Sequence, residues 1–257
     1  METGFLGVPD VSVAIFSGLA AASMVTSFIA TVTGAAGGLL LLGTMALVFP
    51  PQILMPLHTV AMLGDNVTRI AVLWRDVARS ALLPFLIGST LGAAAGGKIF
   101  VGLPTVTLQL ILGFSIIVFV WMPKIANAGS LGGRFGVVGF AASFVGIFVS
   151  ATGALVAPFV AAAFDRRQNV VATFSAAMGI FHLTKLIAFG LLGAALVPYL
   201  PLMAAMLATS AVGNVIGSRI LKRMPERSFR RFFQIILTLM ALRILWMAAG
   251  NAGLVPT

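Results

Sequence analysis

Three titratable side chains share one face of an otherwise apolar stretch at residues 54–74, LMPLHTVAMLGDNVTRIAVLW. At 100° per residue, His58, Asp65 and Arg69 fall within one narrow stripe of a helix. Each charge near a membrane centre costs roughly 2.5–3.5 kcal/mol on insertion scales, so such residues normally face a protein interior or a water-filled cavity. One alternative stays open, because Asp65 and Arg69 at i,i+4 can pair and simply neutralise each other, or Arg69 can snorkel toward the helix end.

A second cation lies in a comparable apolar stretch, SAAMGIFHLTKLIAF at residues 175–189. A shift of 116 residues lays Thr68-Arg69 on Thr184-Lys185, so the same Thr-cation pair enters the membrane interior twice. Arg69 and Lys185 are therefore predicted to attract an anionic substrate. Asp65 has no acidic counterpart, and together with His58 and His182 it is a candidate for proton coupling. The alternative for each histidine is an ordinary hydrogen bond in a helical core.

The composition is that of a membrane protein. Only 9% of the 257 residues are charged and the mean hydropathy is +1.12, whereas a soluble domain carries about a quarter charged residues. The net charge of +10 indicates basic cytoplasmic loops rather than nucleic-acid binding. The chain has no cysteine, which excludes disulfides and thiolate metal sites. No cofactor is predicted, and the first apolar run is expected to be a transmembrane helix rather than a cleaved signal peptide.

Ten hydrophobic segments must position these side chains. Eight are long enough to cross a core of about 30 Å, and two are short and follow glycine-containing breaks. The predicted fold class is an all-α polytopic membrane protein of ten segments in two inverted five-segment repeats. The segments are 11–33, 37–49, 54–74, 80–101, 105–122, 135–151, 153–164, 168–190, 196–220 and 228–249.

Matches between the two halves predict an internal duplication. At a shift of 116, Gly37 meets Gly153, and at a shift of 121 LGAAAGGKI (91–99) meets VGNVIGSRI (212–220). The predicted division is a first repeat at 1–123, a cytoplasmic linker at 124–134 and a second repeat at 135–257. If all ten segments cross, the basic loops fall on one side, both termini are periplasmic, and an odd number of segments per half inverts one half relative to the other.

Short, glycine-broken segments at matching positions of inverted repeats are typical of secondary transporters, which form their substrate site there. Helix N-termini at such breaks present N–H groups that suit an anion, and hydroxyls and amides add further donors. Each polar group alone is a weak signal, because such residues also occur at ordinary helix interfaces. The remaining substrate-binding candidates are Thr33, Gly34, Gly37, Gly38, Gln52, Asn66, Ser150, Thr152, Gly153 and Gln168.

The two breaks resemble those of the sulfite exporter TauE/SafE family. The matching stretches are TGAAGGLLLLG (33–43), SATGALVAPF (150–159) and NVVATFSAAMGIFHLTKLIAFG (169–190), and the resemblance covers both halves. The first copy departs from the pattern, since Leu42 stands where the second copy has Pro158. The resemblance implies export of a sulfur-containing anion, such as sulfite or an organosulfonate, across the bacterial inner membrane.

The sequence thus predicts a secondary transporter of a small sulfur-containing anion, which works by alternating access of its two halves. An anion channel, or a carrier for a different inorganic or organic anion, remains the alternative. A cation carrier would place acids at the breaks, and an intramembrane enzyme would show a motif such as H-E-x-x-H or G-x-S-x-G; neither is present. The expected partners are the anion and membrane lipid, and a homo-oligomer is compatible with the sequence.

Overall fold

The computed structural model describes residues 4–33, 37–121, 135–150, 152–165, 167–220 and 226–254, and most of them are helical. These residues form ten α helices, three short 3₁₀ turns and no strand. The helices correspond one for one to the predicted segments, so the all-α class is confirmed. They are α1 Val13–Thr33, α2 Gly37–Ala46, α3 Pro51–Leu73, α4 Arg79–Gly102, α5 Thr105–Trp121, α6 Phe135–Val149, α7 Gly153–Ala163, α8 Arg167–Leu191, α9 Leu200–Ile220 and α10 Glu226–Asn251.

Helix length separates the elements into two groups. Four described stretches are long and apolar enough to cross a membrane, within α1, α4, α8 and the region of α9. The two helices that follow the breaks are much shorter, at 10 residues for α2 and 11 for α7. At 1.5 Å per residue each is roughly 15 Å long, about half of a typical hydrocarbon core. Neither short helix crosses by its own length, and the topology of ten crossings stays a prediction from the loop charges.

The chain divides into two compact units, and each unit combines helices from both sides of residues 124–134. The first unit comprises Met1–Ala61, Pro104–Trp121 and Ala195–Thr257, and in it α1 packs against α9 and α2 while α10 packs against α5 and α2. The second unit comprises Met62–Leu103 and Met122–Ala194, and in it α4, α6 and α7 all contact α8, and α4 also packs along α6. The linker at 124–134 lies outside the described residues, and the predicted division into halves stays untested.

One serine pair joins the main helix pair of each unit. In the first unit the hydroxyls of Ser27 on α1 and Ser210 on α9 hydrogen-bond at 2.8 Å, and both side chains are buried. In the second unit the hydroxyls of Ser143 on α6 and Ser89 on α4 do the same at 2.5 Å. Ser27 and Ser143 differ by 116 positions, and Ser89 and Ser210 differ by 121, which are the two shifts of the sequence matches. The same contact therefore recurs at repeat-related positions.

Two glycines bring the same helix pairs into backbone contact. A Cβ on Gly92 of α4 would collide with the carbonyl oxygen of Phe140 on α6, and a Cβ on Gly213 of α9 would collide with that of Met24 on α1. These positions again differ by 121 and by 116. Because membrane helices gain little hydrophobic energy from pairing in lipid, small residues that permit this close approach supply much of the attraction.

A third pair of equivalent positions joins the helices within each of the same two pairs, but with a different type of contact in each. Gly139 of α6 lies so close to the carbonyl of Phe85 on α4 that no Cβ would fit between them. At the repeat-related place, Ser23 of α1 donates its hydroxyl to the carbonyl of Met206 on α9 at 2.8 Å. Helices α4 and α6 are thus in direct backbone contact at the position where α1 and α9 are joined by a hydrogen bond.

We expect Gly92→Ala and Gly213→Ala each to lower the free energy of unfolding by about 1–3 kcal/mol, because the neighbouring backbone carbonyl cannot move aside. Gly18→Ala on α1 is the matched control, since a Cβ there meets nothing within 4 Å and alanine favours a helix. Thermal unfolding of the purified protein in detergent measures the three changes. Equal stability of all three variants would contradict the role of close backbone contact.

Candidate functional site

The break between α6 and α7 has an unusual backbone. Helix α6 ends at Val149 and α7 begins at Gly153, which leaves three residues between them, of which residue 151 lies outside the described residues. Ser150 has φ +59°, a left-handed conformation that few residues other than glycine adopt. Such backbone strain of about 1–3 kcal/mol concentrates at ligand sites and switch regions. The chain therefore leaves α6 through a conformation that costs free energy.

Lys185 of α8 reaches this break from the side. Its side chain is 0% exposed, and its ammonium donates hydrogen bonds to the carbonyl of Gly146 at 2.8 Å and to the hydroxyl of Ser150 at 2.6 Å. The rings of Phe181 and Phe189 flank the ammonium, with centroids 5.4 and 5.6 Å from Nζ. Two neutral oxygens and two aromatic rings thus surround a fully buried cation.

No carboxylate pairs with Lys185 among the residues that the structure describes. Its contacts there are the two oxygens and the two rings, and all of them are neutral groups. Removing a charge from water costs several kcal/mol per ion even after the protein relaxes, and a partner of opposite charge normally offsets that cost. An uncompensated cation in a membrane-spanning helix is a functional candidate for this reason.

Thr152 supplies a further buried polar group at the same break. Its side chain is 0% exposed, and its hydroxyl has no hydrogen-bond partner within the described part of the chain. The hydroxyl lies 3.3 Å from the place where a Cβ on Gly146 would be, so it is near the residue whose carbonyl holds Lys185. Thr152 also precedes α7 without capping it. A buried hydroxyl without a partner costs about 1–3 kcal/mol, which a bound ligand would recover.

A chain of hydroxyls fixes α8 against α4 and α6 next to this site. Thr184, the residue before Lys185, hydrogen-bonds Ser89 of α4 at 2.9 Å, and Ser89 bonds Ser143 of α6. Thr184 also donates to the backbone of its own helix. The three buried hydroxyls set the register of α8 beside α6, which brings Lys185 level with the carbonyl of Gly146.

The first break is described only in part. The side chain of Thr33 and the whole of Gly34 lie outside the described residues, whereas Gly37 and Gly38 form the first turn of α2. His58 of α3 is buried, and its Nε2 lies 2.9 Å from the carbonyl of Gly38. A carbonyl only accepts hydrogen bonds, so Nε2–H is the donor. This contact ties α3 to α2 and gives His58 a structural role whether or not it also carries protons.

The other predicted residues have varied positions. Asp65 and Asn66 of α3 are 6% exposed, and the Asn66 amide donates to the carbonyl of Met62 in its own helix. Gln52 is exposed and hydrogen-bonds Thr105 at the start of α5. His182 is 2% exposed, and its ring packs edge-on against that of Phe181, with the two ring centroids 4.6 Å apart. The side chains of Arg69 and Gln168 lie outside the described residues.

The structure thus brings together three of the predicted residues, Lys185, Ser150 and Thr152, with α7 beginning at Gly153. Sequence reasoning missed the carbonyl of Gly146 and the rings of Phe181 and Phe189. Phe181, Lys185 and Phe189 are spaced at i, i+4 and i+8, which places them on one helix face. This spacing also occurs in ordinary core packing, so the sequence alone did not identify the two rings as neighbours of the ammonium.

Ten helices in the described part of the chain, several of them long and apolar, define the class of a multi-pass membrane protein. The sequence model of the sulfite exporter TauE/SafE family matches residues 19–244. The chain belongs to this family, which is one of transporters. No curated protein and no solved structure matches the chain significantly.

We expect Lys185→Met to leave the unfolding temperature unchanged or to raise it, because the change removes a buried charge without breaking another required contact. The carbonyl of Gly146 still accepts from the backbone N–H of Ser150 at 2.9 Å, and replacing buried charge by apolar volume is often neutral or stabilising by about 1–4 kcal/mol.

Lys98→Met is the matched control, since Lys98 is exposed on α4 and its loss is expected to change stability by less than about 0.5 kcal/mol. Thermal unfolding without added anion compares the two variants with the wild type. Strong destabilisation by Lys185→Met alone would mean that the lysine is a structural residue.

Proposed function

We propose that the protein is a secondary transporter that exports a small sulfur-containing anion, sulfite or an organosulfonate, across the bacterial inner membrane. The observation that carries the proposal is the fully buried Lys185 beside the α6–α7 break, with no carboxylate partner in the described part of the chain. Membership of the TauE/SafE family supports the sulfur-containing anion. An anion that enters the site supplies the negative charge that Lys185 lacks.

The groups around the break suit an oxyanion. In the proposed bound state the ammonium of Lys185 turns from neutral oxygens to the anion, and the hydroxyl of Thr152 donates a further hydrogen bond. The helix α7 begins at Gly153, and the first N–H groups of a helix have no partner within the helix. Such groups bind anions directly through their hydrogen bonds.

Arg69 is proposed as the second anion-attracting residue, because it is the repeat counterpart of Lys185. Asp65, His58 and His182 are proposed to couple transport to protons, and both histidines and Asp65 are buried on the helices that carry the cations. The inverted repeats at 1–123 and 135–257, with both termini periplasmic, are supported by the loop charges and by the recurrence of the serine and glycine contacts at the repeat shifts.

Alternating access is proposed to move helix pairs drawn from both halves. The expectation that one half rocks against the other does not suit the packing, because α1 of the first half is held against α9 of the second, and α4 against α6. The glycine–carbonyl contacts hold the two helices of each pair so close that sliding one along the other would break the serine hydrogen bonds between them. Each of these helix pairs therefore moves as one body.

An anion channel with the same site is the second candidate, since the groups that bind an anion in a carrier also line a channel. The half-length helix α7 at the site favours the carrier, because broken helices at a substrate site are the hallmark of secondary transporters.

Radiolabelled sulfite flux into proteoliposomes tests the function. We expect saturable flux that Lys185→Gln and Arg69→Gln each reduce at least about tenfold, since removing one partner of a buried charge interaction costs 2–5 kcal/mol or more. Lys98→Gln is the control, because it removes an exposed charge of the same sign. An imposed pH gradient that changes the flux supports proton coupling. Full flux in folded Lys185→Gln protein would contradict the proposed site.

A disulfide tests the moving bodies, and the chain has no native cysteine to interfere. Ser27→Cys with Ser210→Cys places two thiols where the hydroxyls are 2.8 Å apart, which is close enough for a bond between α1 and α9. We expect the oxidised double variant to keep at least about half of the flux of the reduced form, because a pair that moves together is not hindered by a cross-link. The two single variants under the same oxidant are the controls, and loss of flux on cross-linking alone would show that α1 and α9 separate during transport.

A further inference from the structure

We propose that the site at the α6–α7 break accepts a singly charged oxyanion, such as hydrogensulfite or an organosulfonate, and discriminates against doubly charged anions such as sulfate. This inference rests on the proposed function and specifies the charge class of its substrate. The observations that carry it are the single ammonium of Lys185, the neutral groups around that ammonium and the burial of the whole cluster.

With Lys185 protonated, the charge at the site amounts to one positive unit. Gly146, Ser150 and Thr152 are neutral donors or acceptors, and Phe181 adds only an aromatic ring. The C-terminal end of α6 and the N-terminal end of α7 meet at this break, so their partial charges of about −0.5 and +0.5 oppose each other. Lys185 therefore sets the net charge that the bound anion encounters.

The acid and the two cations that are proposed for transport give the same balance. Asp65 and Arg69 stand four residues apart on α3 and contribute one charge of each sign. Lys185 on α8 remains as the unmatched positive charge. A bound monoanion makes this set of residues neutral, whereas a dianion leaves it with a net negative charge in a membrane-embedded protein.

Desolvation increases the discrimination. The cost of taking an ion out of water grows with the square of its charge, so a dianion pays about four times the penalty of a monoanion of equal size. Its attraction to Lys185 grows only in proportion to the charge, which is a factor of two. The rings of Phe181 and Phe189 at 5.4 and 5.6 Å from Nζ exclude water from the cluster and offer no donor to compensate.

The hydrogen bonds available lead to the same conclusion. An oxyanion at this break meets the ammonium of Lys185, the hydroxyl of Thr152 and the first N–H groups of α7. These donors match the three oxygens of one sulfonate group. The fourth position on sulfur, a hydrogen in hydrogensulfite or a carbon in an organosulfonate, then requires no charged partner.

Competition at a fixed pH tests the inference with two anions that share a sulfate core but differ in charge. Methyl sulfate is a monoanion and sulfate is a dianion, and each competes with radiolabelled sulfite for the full-length protein in proteoliposomes. We expect methyl sulfate to inhibit at a concentration at least about tenfold lower than sulfate. Methanesulfonate is expected to behave like methyl sulfate. Equal or stronger inhibition by sulfate would overturn the inference and leave the proposed transport of sulfite intact.

Thermal stabilisation by the same anions separates this inference from the proposed function, because it does not depend on flux. A monoanion that raises the unfolding temperature of the wild type, but not of Lys185→Met, supports the charge selectivity even if sulfite is not transported. Lys98→Met keeps the wild-type response. Stabilisation by sulfate equal to that by methyl sulfate, or no response to either anion, would contradict the inference.

Discussion

A fully buried ammonium without a carboxylate partner is the constraint to which the rest of the second unit is fitted. Lys185 is held by the carbonyl of Gly146 and the hydroxyl of Ser150, which satisfy its hydrogen bonds but not its charge. The left-handed backbone at Ser150 places that hydroxyl at the break, and the hydroxyl chain through Thr184 keeps α8 in register with α6. The strained backbone at Ser150 and the buried ammonium of Lys185 both cost free energy, and they lie next to each other. Such a combination is typical of a binding site rather than a core.

Small residues allow the helices of each unit to pair closely in lipid. Hydrophobic surface gives little incentive for two helices to meet when lipid tails are equally apolar, so close backbone approach and hydroxyl bonds must supply the attraction. Gly92 and Ser89 do this on α4, and Gly213 and Ser210 do it on α9. The helix pairs formed in this way join distant parts of the sequence.

The sequence predicted the ten helices, the two short ones and the membrane class, because apolar length and glycine-containing breaks are local signals. It also predicted that Lys185 and the second break belong together, because the duplication marked both. It did not predict the carbonyl of Gly146 as the partner of Lys185, since a backbone oxygen leaves no trace in residue type. It did not predict that Gln52 hydrogen-bonds Thr105 at the start of α5, and a role of Gln52 in substrate binding stays a prediction.

The pairing of α1 with α9 has a consequence for biosynthesis. Ser23 and Met206, and likewise Ser27 and Ser210, are separated by 183 residues, so α1 enters the membrane long before its partner exists. At 5–20 residues per second, the ribosome needs roughly ten to forty seconds to make the intervening chain. During that time the hydroxyls of Ser23 and Ser27 lack their partners on α9. A chain truncated before α9 never forms these two contacts.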